Sequence, residues 1–426
     1  MNYFLGLIFL LTLASGIPVA FCLALTSLVT LLVIGDIPLI LIPQRMFTGM
    51  DSFPLLAVPL FIMAGDLMNA SGITDRIIRL STALVGSIRG GLAHVNVVTS
   101  MFFAGLSGSA VADTAALGSI LIPAMKKDGY DSTFSAAITS ASSVIGPIIP
   151  PSIPVIIYAM ISSVSVGGLF LAGVVPGVLI GLSLMVVSYF ICRRKGYGTK
   201  RPFASKKELF QSLKGGIIPI LMPLIIMGGI LSGVFTATEA ASIAVAYALV
   251  VGIFVLRSLK LKNLPSLFFR SMVTTSTILM VLACANIFSW ILSTQQIPQA
   301  LVGVVVSWAP NPYVLLLLIN IILLVVGCFL EGISALIIMV PILLPLAHHA
   351  GIDPLHFGII VVMNLMIGLI TPPLGICLFV VSSVAKVDLM KLIRASLPFV
   401  FVEIAALMIV TYIPEIVLFI PRFFGF

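Results

Sequence analysis

Ser142-Ser143-Val144-Ile145-Gly146-Pro147-Ile148-Ile149-Pro150-Pro151-Ser152 lies in the middle of an apolar segment running from about Phe134 to Ile161. A helix that crossed a bilayer here would meet Gly-Pro and then Pro-Pro at its centre. Proline removes a backbone donor and clashes with the preceding turn, so the helix breaks at this point. Broken backbone at membrane depth survives only where protein or a water-filled cavity covers it. A related stretch, Met366-Ile367-Gly368-Leu369-Ile370-Thr371-Pro372-Pro373-Leu374, interrupts a second apolar segment.

Composition sets the solvent. Of 426 residues, 60% are hydrophobic and 8% charged, against roughly 25% charged in a soluble domain. The pattern is that of an all-α, polytopic membrane protein in a lipid bilayer. The net charge of +8 does not indicate nucleic acid, because the basic residues occupy short loops between apolar spans, where they set orientation. The five cysteines are scattered without a C-x-x-C and read as packing residues. The apolar N-terminus, from Tyr3 onward, lacks a basic leader and reads as a retained membrane helix.

Outward from the two breaks, the chain divides into 1–192, a basic loop over 193–214, and 215–426. Each half holds scaffold spans (within 1–70 and 215–256), an apolar hairpin (90–127 and 312–348) and a broken helix (132–161 and 356–385). A short connector through Pro298 precedes the second hairpin. Ala104-Gly105-Leu106-Ser107-Gly108-Ser109 cuts the first hairpin; Gly327-Cys328-Phe329-Leu330-Glu331-Gly332 cuts the second. With re-entrant hairpins not crossing, each half has five crossings, so the second half is inverted relative to the first. Placing the 193–214 loop in the cytoplasm leaves twenty of the 22 Lys and Arg inside, with only Arg45 and Arg422 outside. Both termini are then periplasmic.

A single offset of 222 supports a repeat. It pairs Gly105 with Gly327, Pro123 with Pro345, Asp131 with Asp353, Gly146 with Gly368, Pro150-Pro151 with Pro372-Pro373, and Pro176 with Pro398. Two interrupted helices in matching halves are the sequence sign of a secondary transporter's binding site. Helix breaks free carbonyls, which suit Na⁺, and N–H groups, which suit an anion. The first Na⁺ site is therefore expected at Ser107, Gly108 and Ser109 with Gly146, Ile149 and Pro151. Asp113, one turn past the tip, is expected to support that site rather than ligate directly. A second Na⁺ site is expected from Gly327, Glu331, Gly332, Gly368, Thr371 and Pro373. The anion is expected between them, near Ser107, Ser143, Pro150, Ser152, Thr371 and Pro372. Packing of small residues between helices is the plainer alternative for these Gly/Ser clusters. For Glu331, ion ligation, proton carriage and bracing of the hairpin all stay open. Glu239 reads equally well as a helix N-terminal acid, and His348-His349 as interfacial. No G-x-x-x-x-G-K-[ST] or H-E-x-x-H occurs, which argues against a Walker-type ATPase and an intramembrane zinc protease.

Ala57-Val58-Pro59-Leu60-Phe61-Ile62-Met63-Ala64-Gly65, Gly105–Ser109, Ile122-Pro123-Ala124-Met125, Ile149–Ser152, Phe235-Thr236-Ala237-Thr238-Glu239-Ala240-Ala241 and Thr371–Gly375 resemble the large membrane subunit of TRAP (tripartite ATP-independent periplasmic) transporters. The resemblance runs from the first helix to the last. It implies an elevator-type Na⁺ symporter of the bacterial inner membrane, taking up an organic acid anion of the sialic acid or C4-dicarboxylate type. It implies two partners, a separate small four-helix membrane subunit and a periplasmic substrate-binding protein. A stand-alone Na⁺/dicarboxylate symporter is the alternative within transport. An intramembrane enzyme pairing Asp113 with Glu331, or a passive channel, are alternatives from other classes.

Overall fold

The computed structural model describes residues 2–35, 37–199, 202–297 and 311–426. The connector expected around Pro298, and Lys200 and Arg201 of the basic loop, lie outside the described residues. In chain order the first half comprises α1 (Asn2–Ala14), α2 (Val19–Ile34), α3 (Leu41–Met50), α4 (Ala57–Ala70), α5 (Ile73–Val85), α6 (Gly91–Ser107), α7 (Ala110–Lys127), α8 (Ser132–Ser143), α9 (Ile153–Ser162) and α10 (Val166–Lys195). The second comprises α11 (Lys206–Leu231), α12 (Ala237–Val250), α13 (Leu264–Thr294), α14 (Pro312–Phe329), α15 (Gly332–His349), α16 (Pro354–Gly368), α17 (Ile376–Ala385), α18 (Leu389–Tyr412) and α19 (Glu415–Phe423). Among the described residues no strand occurs, and eight helices are long and apolar enough to cross a membrane.

Both apolar hairpins form, as α6–α7 and α14–α15, and both broken helices break at the prolines, as α8/α9 and α16/α17. Shifted by 222, α7 falls on Gly332–His349 and α8 begins at Pro354. The Pro150-Pro151 and Pro372-Pro373 bonds are both cis. The loops are shorter than the charge pattern suggests. Helices α10 and α11 absorb the ends of the 193–214 loop, α13 absorbs Arg270, and α18 absorbs the basic stretch up to Arg394. The last long helix, α18, ends at Tyr412, and α19 follows as a separate helix.

Capping explains several of these boundaries. Ser205 and Glu208 start α11 as a reciprocal capping box, and Thr236 and Glu239 do the same for α12. Glu239 therefore takes the helix-cap role. Asp131 and Asp353, 222 residues apart, each accept two backbone N–H bonds at the start of α8 and α16.

The halves interlock. Helix α17 of the second half packs on α7 and α8 of the first, α18 packs on α8 and α10, and α15 packs on α9. Tyr158 of α9 donates to the Pro354 carbonyl (2.8 Å), and Lys126 at the end of α7 donates to the Ala385 carbonyl (2.9 Å). Buried amides tie each hairpin to its broken helix. Asn96 donates to Thr139 (2.7 Å) and accepts from Ser142 (3.0 Å). In the second half, Asn364 donates to Asn320 (2.6 Å), which donates to Thr411 (3.0 Å). In hydrocarbon such groups have no water to return to, so these bonds favour one arrangement, although the Asn364 Oδ1 is left without a partner. Large apolar side chains on the outer faces, such as Phe190, Leu224 and Phe401, are more than half exposed, as a lipid-facing surface allows. Around this core, α13 packs against α2, α3 and α4, and α4 packs against α12.

Candidate substrate and ion site

The first hairpin ends where Gly108 adopts a left-handed conformation (φ 60°) that a side chain would resist. Its backbone faces the Pro151 carbonyl and the Ile153 amide, so the tip lies directly on the break between α8 and α9. Ser109 then caps α7, accepting from the Ala112 amide (3.4 Å). The Ser107 hydroxyl donates to Asp113 Oδ1. Asp113 is fully buried, and its Oδ2 has no hydrogen-bond partner. That oxygen points at Gly146, where an added Cβ would collide with it. Tip, acid and break thus converge on one buried carboxylate oxygen. A lone buried carboxylate is costly unless something positive completes it, and a carboxylate among hydroxyl and carbonyl oxygens is the donor set of a hard cation.

At the second tip, the Gly327 and Gly368 backbones are in direct contact, which leaves no room for a side chain on either. Gly375 N–H donates to the Cys328 carbonyl (3.4 Å), tying tip to break. Glu331 caps α15, accepting from the Ser334 amide (3.0 Å) and hydroxyl (3.3 Å). Glu331 stands 222 residues after Ser109, which caps α7. One helix N-terminus is therefore capped by a neutral hydroxyl and the other by a carboxylate. Gly332 packs against the Met366 side chain, and the Thr371 hydroxyl donates to the Ile367 carbonyl (2.7 Å).

Both tips open on one cavity of about 150 Å³. Of the residues singled out in the sequence, Ser107, Gly108, Ser109 and Glu331 line it. Asp113, Gly146, Ile149, Pro151, Gly327, Gly332, Gly368, Thr371, Pro372 and Pro373 do not line it, and Pro373 is exposed elsewhere. Ser143, Pro150 and Ser152 are buried. The Ser143 hydroxyl bonds Thr114 (2.6 Å), and that of Ser152 bonds the Pro147 carbonyl. Pro147 and Met366 bring the breaks to the cavity wall.

Sequence reasoning missed the opposite wall. It is made by Asp66 and Asn69 of α4 with Arg270 and Thr274 of α13. Asp66 Oδ2 accepts from the Ser271 hydroxyl (2.6 Å). A further missed acid is Glu403 of α18, fully buried with both carboxylate oxygens unpartnered. An acid inside an apolar span was the available signal.

The family model described as "Tripartite ATP-independent periplasmic transporter, DctM component" matches residues 6–416. The chain is 43% identical over 420 residues to the sialic acid TRAP transporter large permease protein SiaM of Vibrio cholerae, covering 99% of this chain and 97% of that one. It is 42% identical over 381 residues to the C4-dicarboxylate TRAP transporter large permease protein DctM of Pseudomonas aeruginosa, covering 89% of each. In fold it is similar to the crystal structure of the Alcanivorax borkumensis YdaH transporter, with TM-score 0.63, 15% identity and 86% of each chain covered.

Proposed function

The chain belongs to the DctM-component family of tripartite ATP-independent periplasmic transporters, and from that premise we propose that it carries an organic acid anion across the inner membrane, driven by Na⁺. The observation that carries this reading is the single cavity onto which both hairpin tips open. Na⁺ is held at each tip-and-break pair, with Asp113 facing Gly146 in one and Glu331 capping α15 in the other. Asp66 and Glu331 on the lining, against Arg270 alone, with Asp113 nearby, leave the site with more acid than base. Cations must enter before an anion is tolerated, since like charges this close oppose binding. That order of events is symport.

The hairpins and broken helices form the unit that moves. Their interlocked contacts make them one body, while α4 and α13 belong to the wall against which that body slides. The two halves are inverted repeats, with both termini periplasmic. At ~100 mV each net positive charge carried inward contributes ~2.3 kcal/mol, roughly a 50-fold accumulation. The partners are a small four-helix membrane subunit and a periplasmic binding protein that delivers the anion. Relatives named for sialic acid and C4-dicarboxylates make these acids the first substrates to test.

The test is uptake into proteoliposomes containing the chain with both partners. An inward Na⁺ gradient accelerates uptake, and Ser107→Ala weakens the Na⁺ dependence. Uptake indifferent to Na⁺ on either side rejects the coupling.

A further inference from the structure

The cavity has two unlike walls. The tips supply Ser107, Ser109 and Glu331; α4 and α13 supply Asp66, Asn69, Arg270 and Thr274. Arg270 and Thr274 stand one turn apart on the same helix face, so guanidinium and hydroxyl reach the cavity together. Arg270 is exposed and makes no ion pair among the described residues. Neighbouring Asp66 has an oxygen engaged by Ser271. Asn69, which also lines the cavity, has a buried Oδ1 without a partner.

Among the cavity-lining residues Arg270 is the one cation, set against two carboxylates, Asp66 and Glu331. Any anion held there has one fixed charge to pair with. The guanidinium fork matches a carboxylate in two parallel hydrogen bonds, which a lysine does not reproduce. Arg270 follows the basic stretch Arg257, Lys260 and Lys262, and Asn69 lies near the end of α4 that leads into Arg76 and Arg79. Both ends are cytoplasmic by the distribution of basic residues.

We infer that Arg270, with Thr274 beside it, is the half of the substrate site contributed by the stationary wall, binding the carboxylate of the transported acid on the cytoplasmic side. This rests on the transport reading above. The moving unit carries the anion, and Arg270 meets it only when the tips stand beside α4 and α13. The residue therefore governs affinity from one side of the membrane. An arginine needed only for orientation, or held by lipid phosphate, would be replaceable by lysine and would show no preference for one side.

The experiment uses the complete complex in proteoliposomes with the cytoplasmic face inward. Exchange of labelled sialic acid or succinate, whichever the wild type carries, is measured against graded unlabelled acid in the lumen and, separately, outside with the binding protein. Arg270→Gln is expected to raise the lumenal half-saturation at least tenfold while changing the external value less than twofold. Arg270→Lys should remain several-fold weaker than wild type from the lumen, and Thr274→Val should weaken lumenal binding more mildly. Unchanged lumenal half-saturation in Arg270→Gln, equal effects on both sides, or full function in Arg270→Lys would overturn the assignment while leaving transport intact. Wild-type vesicles that exchange neither acid, nor isethionate or 2,3-diketo-L-gulonate, for which other relatives are named, would overturn the transport reading itself, and the assignment with it.

Discussion

At Gly146, one added methyl group would land on the free oxygen of Asp113. Gly146→Ala is therefore expected to raise the Na⁺ concentration for half-maximal uptake at least tenfold, and to destabilise the fold by about 1–3 kcal/mol through overpacking. Gly228→Ala, at a helical position facing open space, serves as the control and should leave uptake unchanged. A Na⁺ titration of both variants, with thermal unfolding in detergent, checks this. Asp113 was legible in the sequence because it stands in an apolar hairpin with a tip before it. Glu403 carried the same signal, but it stands inside the last long apolar span with no Gly/Ser tip before it. Arg270 was hidden for another reason. Its charge fitted a basic loop, and only the start of α13 at Leu264 turns it into a helix-borne group facing a cavity.

The two hairpins share a backbone plan, yet their caps differ, Ser109 on α7 and Glu331 on α15. A carboxylate at a helix N-terminus contributes about 0.3–1 kcal/mol to stability, too little to explain placing a charge at an intramembrane tip on structural grounds. Glu331→Gln keeps an oxygen for the Ser334 amide and removes the charge. It should leave the unfolding temperature nearly unchanged while reducing the Hill coefficient for Na⁺ toward one. A wild-type Hill coefficient would return Glu331 to a bracing role. The breaks themselves were readable because proline and glycine act locally, and both helices stop at Ser143 and Gly368 as the Gly-Pro and Pro-Pro runs require. Loop lengths were less readable. Charged residues at membrane surfaces continue a helix as well as they end one, so α10, α11, α13 and α18 extend into stretches whose charges suggested loops.

The whole molecule depends on contacts between residues far apart in sequence, and there the sequence is nearly silent. Periodicity and charge indicate spans, hairpins and a repeat. They do not indicate that α17 lies on α7 and α8, that Tyr158 reaches Pro354, or that both tips share one cavity with α4 and α13. Those contacts turn four separate elements into one candidate moving body. The most direct measurement places pairs of spin labels on Val111 and Ile333, one on each tip, and on Val111 and Thr274, tip to wall. The five native cysteines are buried and compete little for label. With Na⁺ and acid added to the complete complex in bilayers, the tip-to-tip distance is predicted to stay constant while the tip-to-wall distance splits into two populations. A tip-to-wall distance that never changes, or tips that move independently of each other, would contradict a single carrier unit built from both breaks.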